Sequence, residues 1–131
     1  MEKKKLLIVD DERDFAEMMK INLEKTDSYE VDTAFSAMEC FEKIKIKTYD
    51  LIFLDVLMPK IEGIEALQTV HEKCETPVII MSAYLPPTKQ RVILNQGAAD
   101  FLEKPFNLEK ALQVIHRVFA AKEAEKGREA E

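Results

Sequence analysis

Residues 3–14, KKKLLIVDDERD, place an apolar run directly against a cluster of acids. The segment from Leu6 to Val9 has the composition of a buried strand. Asp10, Asp11 and Glu12 resist burial, because charged groups lose their hydration in a core. A second apolar run, LIFLDVLMP at residues 51–59, meets an acid in the same way at Asp55. Negative charge is therefore expected to collect at one end of the core.

Outward from these two runs, strand-like and helix-like segments alternate along the chain. Residues 29–35, YEVDTAF, alternate between the two faces of a strand, which is typical of a half-exposed edge strand. The segment from Leu51 to Leu54 is apolar on both faces, which is typical of a central parallel strand. The whole pattern predicts five strand–helix units, with strand ends near residues 10, 35, 55, 82 and 104. Strands alternating with helices indicate an α/β fold with a parallel sheet covered on both faces.

Local signals mark the expected helix ends. Ser36 followed by Glu39 forms a capping box at the start of the second helix. Gly97 is a natural terminator of the fourth helix, and Asn107 is a natural N-cap of the fifth. The fifth helix is expected to bury one apolar stripe, which comprises Leu108, Ala111, Leu112, Ile115, Val118 and Phe119.

Length and composition indicate one globular domain. The chain has 131 residues and a formal net charge of −6, which disfavours nucleic-acid or membrane-surface binding. No apolar run is long enough to span a membrane or to act as a signal peptide, so we expect a cytoplasmic protein. Cys40 and Cys74 are expected to be buried free thiols. We expect a domain over residues 1–121 and a charged helical tail, or the start of a linker, over residues 122–131.

The strand ends bring reactive side chains to one rim, because ligands of an open parallel sheet lie beyond the carboxyl ends of its strands. The first strand supplies Asp10 and Asp11, and the third supplies Asp55. Ser82 and Lys104 end the fourth and fifth strands. Three neighbouring carboxylates would repel one another, and a divalent cation relieves that repulsion. All-oxygen ligation with retained waters predicts Mg²⁺.

A carboxylate beside Mg²⁺, an ammonium group and a hydroxyl group fits phosphoryl transfer. That chemistry depends on positioning and on neutralising the charge of the transferring oxygens. Asp55 is a candidate nucleophile that would form an acyl phosphate. Lys104 and Ser82 would each hold a phosphoryl oxygen.

The chain resembles the receiver domain of bacterial two-component response regulators over about residues 4–120. The motifs that carry the resemblance are IVDDE at 8–12, LDVLMP at 54–59 with Gly63, MSA at 81–83 and DFLEKPF at 100–106. The resemblance implies a doubly wound, flavodoxin-like fold with five helices and strand order 2-1-3-4-5, like that of the chemotaxis regulators.

The resemblance also implies roles for individual residues. It makes Asp55 the phosphoacceptor, with Asp10, Asp11 and Asp55 holding Mg²⁺ together with the backbone carbonyl of Leu57. Lys104 is then the phosphate-binding lysine.

Two further roles concern switching. Ser82 is the expected switch hydroxyl, and Phe101 is the switch aromatic at a position where tyrosine is more common in the family. Lys104–Pro105 is expected to be a cis peptide. Prolines at 86 and 87 fall in the loop after the fourth strand, where they would restrict movement.

The function implied by the resemblance is a signalling switch. A sensor histidine kinase or phosphotransfer protein would phosphorylate Asp55. The domain would catalyse only its own phosphorylation and dephosphorylation, and it would not act as an enzyme on other substrates. The surface of the fourth helix, fifth strand and fifth helix would then change, to control an output domain or a downstream protein. A homodimer through that same surface is a further expectation.

Several alternatives remain open from the residues. Asp10 and Asp11 could act only as helix caps, and Asp55 could form a structural pair with Lys104 without metal. An aspartyl-phosphate phosphatase or phosphotransferase often carries a second acid two residues after its nucleophile, where this chain has Leu57. A nucleotide-binding module is disfavoured because neither glycine-rich phosphate loop occurs. A docking domain independent of phosphorylation is disfavoured by the complete acid set.

Overall fold

The computed structural model describes residues 2–56 and 63–129. Within these ranges strands and helices alternate along the chain, as the sequence pattern predicts. The elements are β1 (Lys4–Val9), α1 (Arg13–Glu24), β2 (Tyr29–Ala34), α2 (Ala37–Ile46), β3 (Leu51–Asp55), α3 (Gly63–Lys73), β4 (Val78–Ser82), α4 (Pro87–Asn95), β5 (Asp100–Glu103) and α5 (Leu108–Glu129).

The five strands form one parallel sheet in the order β2-β1-β3-β4-β5. This order confirms the doubly wound, flavodoxin-like fold. β3 lies between β1 and β4 and is buried along its whole length, whereas β2 forms an edge. Both strands therefore have the positions that their sequence patterns predict. All five strands run in the same direction, so their carboxyl ends lie at one rim of the sheet.

Two apolar layers cover the sheet, because successive side chains of a strand point to opposite faces. Helices α2, α3 and α4 pack on one face, together with Leu7, Ile52 and Leu54 of the strands. Helices α1 and α5 pack on the other face, where Phe53 and Leu102 contribute. The first of these layers is called the α2–α4 layer below. No helix in the described ranges is long and apolar enough to cross a membrane.

The predicted caps are confirmed. The Ser36 hydroxyl accepts a hydrogen bond from the Glu39 N–H at 3.1 Å. The Glu39 carboxylate reaches back to the N–H of Phe35 at 3.0 Å, one residue before the group that a regular capping box uses. Asn107 caps α5 by accepting from the Lys110 N–H at 2.8 Å. Gly97 follows α4 with φ +101°, a conformation that favours glycine.

Three details differ from the sequence expectations. Pro87 is the first residue of α4 and Pro86 is its N-cap, because a proline ring suits a first helical turn that needs no N–H donor. Leu108 is 37% exposed, since it lies at the very start of α5. α5 also continues through Gly127, where surrounding Ala, Glu and Lys offset the helix penalty of about 1 kcal/mol for glycine. Residues 122–129 are therefore helical, as one form of the expected tail requires, and the domain boundary at residue 121 stays a prediction.

The two cysteines are both free thiols. Cys40 is buried in the α2–α4 layer, and its burial raises the pKa of the thiol to about 12. Cys74 is only half-buried, because it follows the last residue of α3. The expectation of burial is therefore confirmed for Cys40 and only partly met for Cys74.

Candidate functional site

The rim of the sheet brings together the side chains that the sequence singles out. Asp10 follows β1, Asp55 is the last residue of β3, and Ser82 is the last residue of β4. Asp10, Asp55 and Ser82 are all buried. Lys104 follows β5 directly and joins the rim because its backbone N–H donates to the Ser82 carbonyl at 2.8 Å. Strand pairing therefore assembles the site from four separate parts of the chain.

Three carboxylates form a cluster with the geometry of a cation site. One oxygen each from Asp10, Asp11 and Asp55 lies within 4.8 Å of the other two. Asp10 and Asp55 are buried, whereas Asp11 is exposed to solvent. This all-oxygen set, buried on one side and open on the other, fits a Mg²⁺ ion that keeps part of its water shell. The fourth expected ligand, the carbonyl of Leu57, lies outside the described residues.

Lys104 is the counter-charge of this cluster. Its ammonium group donates to Asp10 Oδ2 at 2.6 Å and to Asp55 Oδ2 at 3.0 Å. Glu12 lies further away, at 3.8 Å, and is largely exposed. The Lys104 side chain is only 12% exposed, so its charge acts in a medium that screens weakly. Lys104 and Asp55 therefore form an ion pair, as the alternative of a structural pair without metal requires. This pair lies inside a cluster of three carboxylates.

The electrostatics of the cluster are unbalanced. Burial is the largest influence on Asp10 and raises the pKa of its carboxyl group to about 6. Hydrogen bonds from Lys104 and the Glu12 N–H oppose this rise, and the neighbouring Asp55 carboxylate adds to it. For Lys104, burial favours the neutral amine, but the hydrogen bonds to both carboxylates outweigh it and hold the pKa above its ordinary value. One ammonium group thus stabilises the buried negative charge only in part.

Ser82 lies at the expected strand end, but its hydroxyl group is turned toward the following loop. Its Oγ donates to the Tyr84 carbonyl and accepts from the Tyr84 N–H, both at 3.3 Å. The hydroxyl group is therefore engaged locally and would have to rotate to reach another partner.

Phe101 lies on β5 with its ring partly buried against the α2–α4 layer. Phe101 is neither fully buried nor fully exposed. The Lys104–Pro105 peptide is cis, as expected.

The structure also assigns contacts that sequence reasoning missed. The ring of Phe15 lies under the Lys104 ammonium group, 4.3 Å from it, in cation–π geometry. Phe106 packs edge-on against Phe15, with 5.6 Å between ring centroids. In the sequence Phe15 reads only as an apolar residue of α1. Nothing in its local pattern distinguishes a ring that contacts a lysine of the site from one that fills the core.

Comparison with known proteins gives the class that this fold and site define. The family profile described as "Response regulator receiver domain" matches residues 6–116, which is most of the chain. The chain belongs to the response regulator receiver domain family. Proteins of this family are the signalling domains of two-component systems.

Individual relatives agree with that assignment. Response regulator ArlR of Staphylococcus saprophyticus is 36% identical over 111 residues, which cover 85% of this chain and 50% of that protein. ArlR of Staphylococcus aureus is 33% identical over 113 residues, covering 86% of this chain and 51% of the relative. The chain thus spans about half the length of these curated relatives.

Solved structures show the same fold. A CheY-like receiver domain protein from Methanospirillum hungatei matches with a TM-score of 0.86 and 30% identity, over 95% of this chain and 99% of that one. The non-phosphorylated HemR receiver domain from Leptospira biflexa matches with a TM-score of 0.80 and 28% identity, over 88% of this chain and 94% of that one.

Proposed function

We propose that the chain is a phosphorylation-activated signalling switch in the cytoplasm and that Asp55 is its phosphoacceptor. The observation that carries the proposal is the cluster of Asp10, Asp11 and Asp55 with Lys104 bound to two of its carboxylates. The phosphoryl donor is a sensor histidine kinase or a phosphotransfer protein. A carboxylate oxygen of Asp55 bonds to phosphorus as the bond from phosphorus to the donor's histidine nitrogen breaks. The nitrogen keeps the electron pair, and the product is an acyl phosphate.

The remaining residues of the site have supporting roles in this proposal. Asp10, Asp11 and Asp55, with the Leu57 carbonyl, would hold Mg²⁺. When bound, Mg²⁺ supplies positive charge beside the transferring phosphoryl oxygens. Lys104 is already 3.0 Å from Asp55 and would bind a phosphoryl oxygen once Asp55 carries one. The domain would later return to its resting form when water attacks phosphorus, the bond from phosphorus to the Asp55 oxygen breaks, and inorganic phosphate leaves the restored carboxylate.

Phosphorylation would change the surface formed by α4, β5 and α5, and a partner would recognise that change. Rotation of Ser82 toward the phosphoryl group would shift the end of β4, and Phe101 would follow into the vacated space. The partner at this surface is an output domain, a downstream protein or a second copy of the chain. A phosphoryl group adds about −1.5 to −2 charges, which is a large local change beside Lys104.

Intact-mass measurement after incubation with acetyl phosphate and Mg²⁺ tests the phosphoacceptor assignment. The wild-type chain should gain the mass of one phosphoryl group, and Asp55→Asn should gain none. Asp32→Asn is a matched control, because Asp32 is also hydrogen-bonded by a lysine but lies on the edge strand. Asp32→Asn should be phosphorylated as the wild type is. An adduct that persists in Asp55→Asn would refute the assignment.

A further inference from the structure

The loop from residue 83 to residue 86, between β4 and α4, is tethered by side chains from two other elements. The Glu103 carboxylate accepts from the Leu85 N–H at 2.8 Å, and the Gln90 side-chain amide donates to the Leu85 carbonyl at 2.7 Å. The Leu85 side chain is 2% exposed and packs in the α2–α4 layer. Leu85 is thus held at its N–H, its carbonyl and its side chain.

The position of Glu103 connects this tether to the functional site. Glu103 pairs with Ser82 in the sheet and immediately precedes Lys104. The loop that Glu103 holds is the same loop whose Tyr84 backbone engages the Ser82 hydroxyl group at both N–H and carbonyl. The Glu103 carboxylate and the Ser82 hydroxyl group therefore act on adjacent residues of one short segment.

We propose that Glu103 is a positioning residue that holds this loop, and through it the Ser82 hydroxyl group, in the unphosphorylated arrangement. The inference rests on the proposed function of Asp55. For Ser82 to bind a phosphoryl oxygen, its Oγ must leave the Tyr84 backbone. The hydrogen bond between Leu85 and Glu103 resists displacement of that segment. Removing the carboxylate therefore favours the phosphorylated arrangement, because a ligand binds more tightly when the competing state is less stable.

Titration of the full chain with beryllofluoride and Mg²⁺, followed through the amide signals of Ser82 and Leu85, tests the proposal. Glu103→Ala should bind this phosphoryl mimic about three- to tenfold more tightly than the wild type, as loss of one hydrogen bond predicts. Glu103→Gln keeps an acceptor oxygen and should stay close to the wild type. Equal or weaker affinity in Glu103→Ala would overturn the proposal.

Two further variants separate positioning from charge and from general destabilisation. Glu109→Ala removes the same charge from an exposed position in the first turn of α5 and should leave the affinity unchanged. Gln90→Ala removes the other tether of Leu85 and should tighten binding as Glu103→Ala does. If Glu109→Ala tightened binding equally, the change in net charge would explain the effect, and the positioning role of Glu103 would be refuted. A wild-type chain that fails to bind the mimic would instead contradict the proposed function of Asp55.

Discussion

Two clusters of the molecule pair an aspartate with a lysine, and their electrostatics are opposite. In the site cluster, formed by Asp10, Asp55 and Lys104, burial raises the pKa of Asp10 to about 6. In the edge cluster, formed by Asp32, Lys47 and Tyr49, Asp32 accepts from the lysine at 2.9 Å and from the tyrosine hydroxyl at 2.6 Å. Burial would raise the pKa of Asp32, but these two hydrogen bonds and the positive charges of Lys47 and Lys43 together outweigh it and place the pKa below its ordinary value.

The difference lies in exposure and in the ratio of carboxylates to donors. The Asp10 side chain is 0% exposed and shares its single lysine with a second buried carboxylate. The side chains of Asp32 and Lys47 are each 32% exposed, and Asp32 accepts from two donors, of which Lys47 also contacts the exposed Glu30 carboxylate at 3.5 Å. The edge cluster is therefore satisfied as it stands. Among the described residues, one lysine serves both buried carboxylates of the site cluster, and such crowding of carboxylates is the condition under which a cluster attracts a cation.

The largest expected effect comes from removing the lysine of each cluster. Lys104→Ala removes the lysine that hydrogen-bonds both buried carboxylates and should lower the free energy of unfolding by about 3 kcal/mol at pH 7.5 in the presence of a chelator. Lys47→Ala removes a partly exposed partner and should lower it by less than about 1 kcal/mol. Chemical denaturation of both variants measures the contrast.

Magnesium should change the stability of only one of the two variants, and so reduce the difference between them. Replacing the chelator by Mg²⁺ should restore stability to Lys104→Ala, because a cation can take over the lost counter-charge, and it should leave Lys47→Ala unaffected. Equal losses in the two variants, or a Lys104→Ala loss that Mg²⁺ does not change, would contradict the comparison.

Replacing Asp10 or Asp32 by asparagine should change the free energy of unfolding in opposite directions. The Asp10 carboxyl has a folded-state pKa raised from 3.8 to about 6, so the folded chain binds an extra proton between these values and loses stability as the pH rises through them. The shift, which already includes the opposing hydrogen bond from Lys104, corresponds to about 3 kcal/mol. A buried asparagine amide also loses its hydration, so the substitution should recover only part of that amount. Asp10→Asn should thus be about 1 to 2 kcal/mol more stable than the wild type at pH 7.5 without metal.

Asp32→Asn is the matching variant, and its stability should change in the direction opposite to that of Asp10→Asn. Because the pKa of Asp32 is lowered on folding, its charged form stabilises the fold above pH 3.8, and this contribution disappears as the pH falls through the lowered folded-state pKa. Asp32→Asn should therefore be less stable than the wild type at neutral pH. Unfolding curves measured from pH 3 to pH 8 would show whether the two variants differ from the wild type in opposite directions; a shared direction would be inconsistent with the comparison.

The smallest expected effect comes from one hydrogen bond of the edge cluster. Tyr49→Phe keeps the buried ring and removes the hydroxyl group that donates to Asp32, so it should lower the free energy of unfolding by about 1 kcal/mol. Binding of Mg²⁺ and of beryllofluoride should stay at wild-type affinity. A changed affinity would show that the edge cluster is coupled to the site.

Local patterns in the chain were sufficient for the elements and for placing Asp10, Asp55, Ser82 and Lys104 at one rim. Ser36 and Asn107 act on backbone groups within a few residues, so their capping roles are confirmed as predicted. Asp10 and Asp55 follow apolar runs that can only be buried strands, and parallel strands bring their carboxyl ends to one rim. The strand order came from the family resemblance and not from hydrophobic periodicity. The pattern of a strand indicates how buried the strand is, but it does not indicate which strands lie beside it.

Only the tertiary structure decided which groups of the site are engaged. Ser82 turns toward Tyr84, Glu103 reaches Leu85, and Phe15 lies under Lys104. The last two contacts join residues far apart in sequence, and each depends on a rotamer chosen among several packed neighbours. The sequence by itself therefore determines that carboxylates, a hydroxyl group and a lysine share one rim, because side-chain alternation and chain direction are local properties. Distances across the sheet decide their hydrogen bonds and their pKa values, because burial and counter-charge exist only once the strands have paired.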